Sequence, residues 1–388
     1  LTTAAGVSLS GITLVGPEEY LGTQGGARMS IAVDSLNQPH AVADSGYKNE
    51  AYFYDKVNGI WSSAYLNCAN YEVSRYTAFF FHPRLEIDSL DRAWTSGVMF
   101  LSGDTWWSGF GIVLRENVAL DGAAPLHFSK RQVSHIGWDP GGLSLDPSFP
   151  DEAILFTFNG ECAKLVYDPA TEERVSAPIE LAGMFAGYGG EKNSFRISKA
   201  GDYEHVRSGL HGVRHAAVHG FRGWQSSYQN SVRDEQGLEP VTFAYYYRYP
   251  SMGGDYMYPE VCPDNLEPLV AYIATDYGND GGVAINIWNG EAMVYPPENN
   301  YTIDAAGTSG ADRYPPQWAA ARNGGAFLCW TSSLRIKIRF IAKDGAMGDE
   351  VDVCPGRNGA ISCDSEGNIH LVYQNDGGMR YRLLTVTY

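Results

Sequence analysis

The chain has 388 residues, of which 44% are hydrophobic and 19% charged, a balance typical of a globular protein and not of a disordered or fibrous one. Its 28 Lys and Arg residues against 45 Asp and Glu give a formal net charge of −17, which opposes binding to phosphate backbones and to anionic membranes. No run of about 18 apolar residues occurs. We therefore expect neither a nucleic-acid partner nor a membrane association.

Several features favour a secreted, extracellular glycoprotein. The chain starts at Leu1 with no basic, apolar leader, which we interpret as a mature chain whose signal peptide has been removed. The sequon Asn300-Tyr301-Thr302 is a glycosylation acceptor in such proteins. The cysteines form no CxxC pair, which argues against a zinc ribbon and leaves their disulfide pairing open. They stand at positions 68, 162, 262, 329, 354 and 363.

Units of a short strand, a polar turn and a second strand recur along the chain, while helical periodicity is almost absent. Each clear copy alternates apolar with small or polar residues, turns at an Asp-Ser step and resumes an apolar strand, which predicts a β-hairpin. These copies cover 29–43, 83–94 and 359–373 and turn at Asp34, Asp88 and Asp364. Weaker copies turn near Asp146, Lys199, Asp264 and Arg322.

The seven turns follow one another at intervals of 42 to 65 residues, and the interval through the two termini is 58. Seven blade-sized units predict an all-β fold, a seven-bladed β-propeller formed by residues 1–388 as a single domain. Only two strand candidates, 368–374 and 379–386, follow the last turn. We therefore expect Gly6–Gly16 to add the outer strand of the last blade and close the ring. A pair of β-sandwiches or a two-domain protein is the alternative.

The first strand of each propeller blade starts beside the central channel, so the residues just before these strands surround one pocket. Counting back six positions from each turn gives Arg28, His82, Pro140, Asn193, Tyr258, Pro316 and Asn358. Near them in sequence stand Arg84, His135, Asp139, Arg313, Tyr314 and Arg357. This predicted ring combines imidazole, phenol and guanidinium groups with one acid.

That composition favours β-elimination from a uronic acid over hydrolysis, because hydrolysis of a glycoside usually needs two facing carboxyl groups. Guanidinium groups would neutralise the substrate carboxylate and make the neighbouring C–H proton more acidic. A neutral imidazole, from His82 or His135, would take that proton, and the Tyr258 hydroxyl would protonate the departing sugar oxygen. The expected substrate-binding residues are Arg28, Arg84, Asn193, Arg313 and Arg357. For each residue the alternative is structural, since a buried His or a carbonyl-capping Arg needs no substrate.

The repeated Asp-Ser-x-x-x-x-His/Trp pattern, with a His82-Pro83 step ahead of one copy, resembles the secreted seven-bladed propeller polysaccharide lyases. The resemblance is to the fungal L-rhamnose-α-1,4-D-glucuronate lyases that degrade gum arabic and, more distantly, to the ulvan lyases. It implies exo-type release of terminal L-rhamnose from α-1,4-linked D-glucuronate, with a polysaccharide or oligosaccharide as the substrate. We expect a monomer that requires no cofactor and no catalytic metal; a structural calcium ion is left open.

Two other functions fit the same residues. One is a propeller α-L-rhamnosidase that hydrolyses the same linkage with a single His, and the other is a non-catalytic carbohydrate-binding propeller. A lectin of that kind would be expected to have seven similar pockets. The predicted ring differs from blade to blade, which favours one asymmetric site and therefore catalysis.

Overall fold

β-strands make up most of the described chain. The structure is a computed structural model that describes residues 11–22, 28–44, 51–66, 78–102, 107–117, 127–136, 140–145, 152–157, 161–167, 174–180, 193–197, 203–209, 212–218, 241–244, 256–261, 269–274, 282–287, 301–304, 316–322, 324–342 and 345–387. Within these ranges, no helix is long and apolar enough to span a membrane.

The strands are numbered in chain order. The first nine are β1 Gly11–Gly22, β2 Met29–Val33, β3 Pro39–Asp44, β4 Ala51–Val57, β5 Ile60–Leu66, β6 Ala78–Ile87, β7 Ala93–Ser102, β8 Trp107–Asn117 and β9 His127–Ile136. Next come β10 Pro140–Leu145, β11 Glu152–Thr157, β12 Glu161–Tyr167, β13 Arg174–Glu180, β14 Asn193–Ile197, β15 Tyr203–Gly209, β16 Gly212–Val218, β17 Val241–Ala244 and β18 Tyr256–Val261. The last are β19 Leu269–Ala274, β20 Gly282–Ile287, β21 Tyr301–Asp304, β22 Gln317–Ala320, β23 Ala326–Ser332, β24 Arg335–Ile341, β25 Val351–Pro355, β26 Arg357–Cys363, β27 Ile369–Asn375 and β28 Gly378–Thr387.

These strands form seven four-stranded antiparallel sheets in the part of the chain that is described. Sheets 1 to 6 each take four consecutive strands, from β2–β5 for sheet 1 to β22–β25 for sheet 6. Sheet 7 joins β26–β28 to β1, which pairs with β28 from Gly11 opposite Thr387 to Gly22 opposite Met379. The all-β prediction is confirmed.

The Asp-Ser turn has the same structure in sheets 1, 2 and 7. One oxygen of each turn carboxylate accepts hydrogen bonds of 2.7–3.0 Å from the backbone N–H groups two and four residues later. The other oxygen lies 2.8–3.4 Å from a ring nitrogen six residues later. The side chain thus binds polar groups that the turn leaves unpaired, which explains why Asp occupies this position. The ring nitrogens belong to His40, Trp94 and His370.

The weaker copies also lie between paired strands. In sheet 6 the turn begins at Ala321, one residue before the predicted Arg322, and its amide donates to the Gly325 carbonyl at 3.1 Å. Gly324, with φ of 90°, supplies the left-handed residue that Asn37 and Asp91 supply in sheets 1 and 2. The predicted turns at Asp146, Lys199 and Asp264 lie outside the described residues, but antiparallel pairs flank all three: β10–β11, β14–β15 and β18–β19.

Neighbouring sheets pack through their first strands and through their turns. The first strands contact one another in the series β2, β6, β10, β14, β18, β22 and β26, and β26 contacts β2 again. Between turns, Ser35 donates from its backbone N to the Asp91 carboxylate at 2.8 Å, and Ser365 donates to Asn37 Oδ1 at 3.1 Å. The turns of sheets 7, 1 and 2 therefore lie together, and the three first strands begin at the opposite end, which we call the strand-start end.

Apolar side chains fill the spaces between sheets. One cluster between sheets 6 and 7 includes Phe327 and Leu371, and another between sheets 7 and 1 includes Met29, Val372 and Met379. Leu371 and Val372 are successive residues of β27, and both are fully buried. Both faces of sheet 7 are therefore covered, as expected for sheets stacked side by side.

Two adjacent carboxylates connect β1 to its neighbours. Glu19 accepts hydrogen bonds from Lys56 Nζ at 2.7 Å and Trp61 Nε1 at 2.6 Å, both in sheet 1. Glu18 accepts one from the Tyr373 hydroxyl of sheet 7 and a weaker one from Arg382 Nη2 at 3.4 Å. The N-terminal strand is thus bound to sheets 7 and 1 through side chains as well as through its backbone.

Candidate active site

Members of the predicted ring come together at the strand-start end of sheets 7, 1 and 2. Arg28 immediately precedes β2, Arg84 lies in β6, and Arg357 is the first residue of β26. All three arginines are half-buried. Because β26 contacts β2, this end presents Arg28 and Arg357 on neighbouring strands. Arg84 lies further along β6, closer to the Asp88 turn than to the start of that strand. Such an arrangement suits a carboxylate ligand.

Two polar residues that the sequence reasoning missed hold the starts of these strands. Asp44 is fully buried at the end of β3, and its Oδ1 accepts a hydrogen bond from Arg28 N at 3.2 Å. Gln374, near the end of β27, accepts one from Arg357 Nε at 2.8 Å. Each stands ten residues after its turn aspartate and follows an apolar run. A polar residue at that fixed distance is the signal that could have identified them.

Register shifts occur at several of the predicted ring positions. The pairing of β6 with β7 shifts between Phe81 and Arg84, that of β18 with β19 between Met257 and Glu260, and that of β26 with β27 between Arg357 and Ala360. β-bulges are frequent next to active sites because they redirect side chains. The residues inside these shifts include His82, Tyr258 and Asn358; the side chains of His82 and Tyr258 lie outside the described part.

The bulge in β26 shows how packing fixes such a position. Asn358 is buried and has a φ of 57°, in the left-handed region that asparagine tolerates better than most residues. At the next residue, Gly359, a Cβ atom would lie 2.8 Å from Cys329 Sγ of sheet 6. Glycine is therefore required for sheet 7 to approach sheet 6 at this level.

The other predicted residues lie away from the strand-start end of sheets 7, 1 and 2 or outside the described residues. Asn193 is the first residue of β14 and pairs with Arg207. His135 lies in β9, opposite Phe110, on the outermost strand of sheet 2, three strands away from β6. Arg313, with Asp139 and Tyr314, lies outside the described residues.

Two buried histidines in equivalent positions have pKa values that are shifted in opposite directions. His40 Nε2 lies 3.4 Å from Asp34 and its Nδ1 lies 3.0 Å from Asp55. Burial lowers the pKa of His40, but the two carboxylates outweigh burial and raise the pKa above its ordinary value. Burial also lowers the pKa of His370, and Asp364 only partly offsets it because the second ring nitrogen faces the Tyr381 hydroxyl at 3.0 Å.

These opposite shifts predict opposite pH dependence for two matched substitutions. His40 stabilises the fold fully below its unfolded pKa, near 6.5, and this contribution is lost as the pH rises through the raised folded value. The stability cost of His40→Gln should therefore shrink from pH 5 to pH 8. The cost of His370→Gln should grow over the same range, because protonation of unfolded His370 opposes folding below its ordinary pKa. Urea unfolding at several pH values tests both, and equal slopes for the two variants would contradict the assignment.

The described residues contain no cluster of His, Cys, Asp and Glu that could hold a metal ion. Cys329, Cys354 and Cys363 are free thiols, and burial raises the pKa of Cys329 and Cys363 above the ordinary thiol value. Buried thiols with raised pKa values are poor nucleophiles. Of the other three cysteines, no side chain lies in the described part.

No protein-family model and no curated protein sequence matches the chain. Among solved structures, an α-L-arabinanase of Penicillium chrysogenum in complex with arabinobiose is 11% identical, with 95% of this chain and 97% of that chain covered and a TM-score of 0.51. An α-L-arabinofuranosidase of Fusarium graminearum with an iminosugar inhibitor is 10% identical over 94% and 96%, with a TM-score of 0.48. Saccharomyces cerevisiae Sqt1 is 11% identical over 97% and 99%, with a TM-score of 0.45. The likeness to the arabinanase shows a β-propeller fold.

Proposed function

We propose that residues 1–388 form a single seven-bladed β-propeller in which β1 closes the ring as the outer strand of the last blade. The seven four-stranded sheets and the series of contacts from β2 through β26 and back to β2 support this arrangement. In this fold each described sheet is one blade, and the strand-start end is the mouth of the central channel.

We further propose that the chain is a secreted polysaccharide lyase that cleaves a 4-linked uronic acid, with exo-type release of L-rhamnose from α-1,4-linked D-glucuronate. The observation that carries this proposal is the position of Arg28 and Arg357 at the starts of two contacting strands, β2 and β26, with Arg84 on the adjacent strand β6. Positive groups at a channel mouth are notable in a chain with a net charge of −17, which otherwise repels an anionic substrate. They fit a sugar that carries a carboxylate.

The proposed reaction is a β-elimination. The arginines neutralise the uronate carboxylate, and Asn193 and Arg313 complete the binding site. A neutral imidazole, His82 with His135 as the alternative, removes the proton from C5 of the glucuronate. The C4–O bond breaks as the C4–C5 double bond forms, and Tyr258 donates a proton to the departing rhamnose oxygen. Neither water nor a cofactor is consumed. The substrate is an oligosaccharide or polysaccharide, and the protein acts as a monomer.

Hydrolysis is the second candidate. It is favoured by the fold shared with the Penicillium arabinanase, whose structure contains arabinobiose. A hydrolase would break the same linkage and release rhamnose, but it would leave a saturated uronic acid. A non-catalytic carbohydrate-binding propeller would bind the glycan and release nothing.

Product analysis separates these functions. Incubation with a rhamnose-capped glucuronide should release free rhamnose together with a rise in low-ultraviolet absorbance, because elimination creates a double bond conjugated to the carboxylate. A pectin-type and an alginate-type uronic-acid polysaccharide serve as specificity controls. Release of rhamnose without the absorbance rise would overturn the lyase in favour of the hydrolase, and binding without release would favour the lectin.

A further inference from the structure

A pair of tyrosines lies at the strand-start end of sheet 1. The register row next to Arg28 runs across the sheet through Met29, Ala43, Tyr52 and Tyr65. Paired residues of an antiparallel sheet project from the same face, so these four side chains share the face that packs on sheet 7. The row leads from the candidate site to the outer strand, β5.

Burial decreases outward along this row. Met29 and Ala43 are buried in the cluster between sheets 7 and 1, and Tyr52 is half-buried against the same cluster. Tyr65 is 47% exposed, and its ring centroid lies 5.5 Å from that of Tyr52, with an interplanar angle of 55°. The two rings thus form an aromatic surface that is anchored on one side and open to solvent on the other.

The position of this surface fits a long substrate. Three interstrand spacings of about 4.8 Å separate β2 from β5, so Tyr65 lies about 14 Å outward from the first strand. Tyrosine combines an apolar ring face with a hydroxyl, and binding sites typically pair aromatic walls with a few polar groups. Neither tyrosine carries charge, so a neutral sugar suits the surface better than a second uronate.

We propose that Tyr52 and Tyr65 form a stacking subsite for a neutral sugar residue of the same glycan, outward from the cleaved bond. This inference rests on the proposed function, because the proposed function places the uronate at the strand-start end. It adds a contact that a disaccharide cannot reach and a polysaccharide can. The subsite would therefore give the protein a preference for polymeric substrates.

The test compares Tyr65→Ala with two control variants. Tyr65→Phe keeps the ring, and Ile60→Ala truncates a residue that is 73% exposed at the opposite end of β5. Equilibrium binding is measured with a rhamnosyl-glucuronate-capped arabinogalactan and with a rhamnosyl-glucuronide disaccharide. Loss of one stacking contact should raise Kd for the polysaccharide about fivefold to tenfold in Tyr65→Ala and leave the disaccharide unchanged. Both controls should bind like the wild type.

Each other outcome is decisive. Unchanged polysaccharide binding in Tyr65→Ala, equal losses for both probes, or wild-type protein that binds neither probe would overturn the subsite. If the wild type cleaves the polysaccharide but Tyr65→Ala binds it normally, the subsite fails and the proposed function stands. If binding depends on Tyr65 but no unsaturated product forms, the proposed reaction fails and the subsite stands.

Discussion

Replacing His82 with alanine is expected to lower kcat about 100- to 10,000-fold, because the proposed elimination loses the base that removes the C5 proton. Substrate binding should change little, since the arginines that we propose to hold the carboxylate remain. Initial rates of low-ultraviolet absorbance on a rhamnose-capped glucuronide measure kcat, and equilibrium binding of the same compound measures Kd.

Two further variants make this result interpretable. His205→Ala removes an imidazole from β15, a second strand outside the candidate site, and should leave kcat within about twofold of the wild type. Tyr258→Phe keeps the ring but removes the proposed proton donor, so it should also lower kcat. Normal turnover in His82→Ala would remove His82 from the mechanism and transfer the role of base to His135.

Replacing Trp94 with alanine is expected to lower the free energy of unfolding by about 3–5 kcal/mol, the usual cost of deleting a buried large aromatic side chain. Trp94 is 1% exposed, and its Nε1 donates a 2.8 Å hydrogen bond to Asp88 in the turn of sheet 2. The substitution leaves a cavity beside the turn of sheet 2 and removes one partner of a buried carboxylate. Urea unfolding followed by circular dichroism measures the loss.

Trp94→Phe separates the two contributions, since it keeps most of the volume and removes only the N–H donor. It should cost about 1.5–3 kcal/mol, the range for one hydrogen bond to a charged group, because Asp88 Oδ2 keeps its 2.6 Å hydrogen bond from Arg92 Nε. Leu90→Ala, at a residue of the same turn that is 57% exposed, should change stability by no more than about 0.5 kcal/mol. A Trp94→Ala variant as stable as Leu90→Ala would show that the turn does not depend on its ring partner.

The strand–turn–strand units could be predicted from sequence because their determinants are local. A turn aspartate binds backbone N–H groups only two and four residues away, so its spacing is visible in a single stretch of chain. In sheet 6 the same turn forms at Ala321 without a carboxylate, and Gly324 supplies its left-handed residue. That is why the position predicted there was displaced by one residue.

The candidate site was less predictable because its geometry depends on distant residues. Counting back six positions finds Arg28 directly before β2, but it does not show that Asp44 binds its amide from the end of the next strand. Counting also treats each first strand as regular, whereas the backbone pairing shifts register near His82, Tyr258 and Asn358. His135 is close to β10 in sequence but belongs to the outermost strand of sheet 2.

The contact between Glu18 and Tyr373 joins residues separated by 355 positions, and β1 pairs with the last strand of the chain. During synthesis β1 leaves the ribosome long before β28 is made. The backbone N–H and C=O groups of β1 that pair with β28 therefore have no native partner until then. Such late, long-range pairing slows folding and leaves a strand edge open to wrong associations in the meantime. Nascent chains of this protein should therefore depend on chaperones until the C-terminal strand emerges.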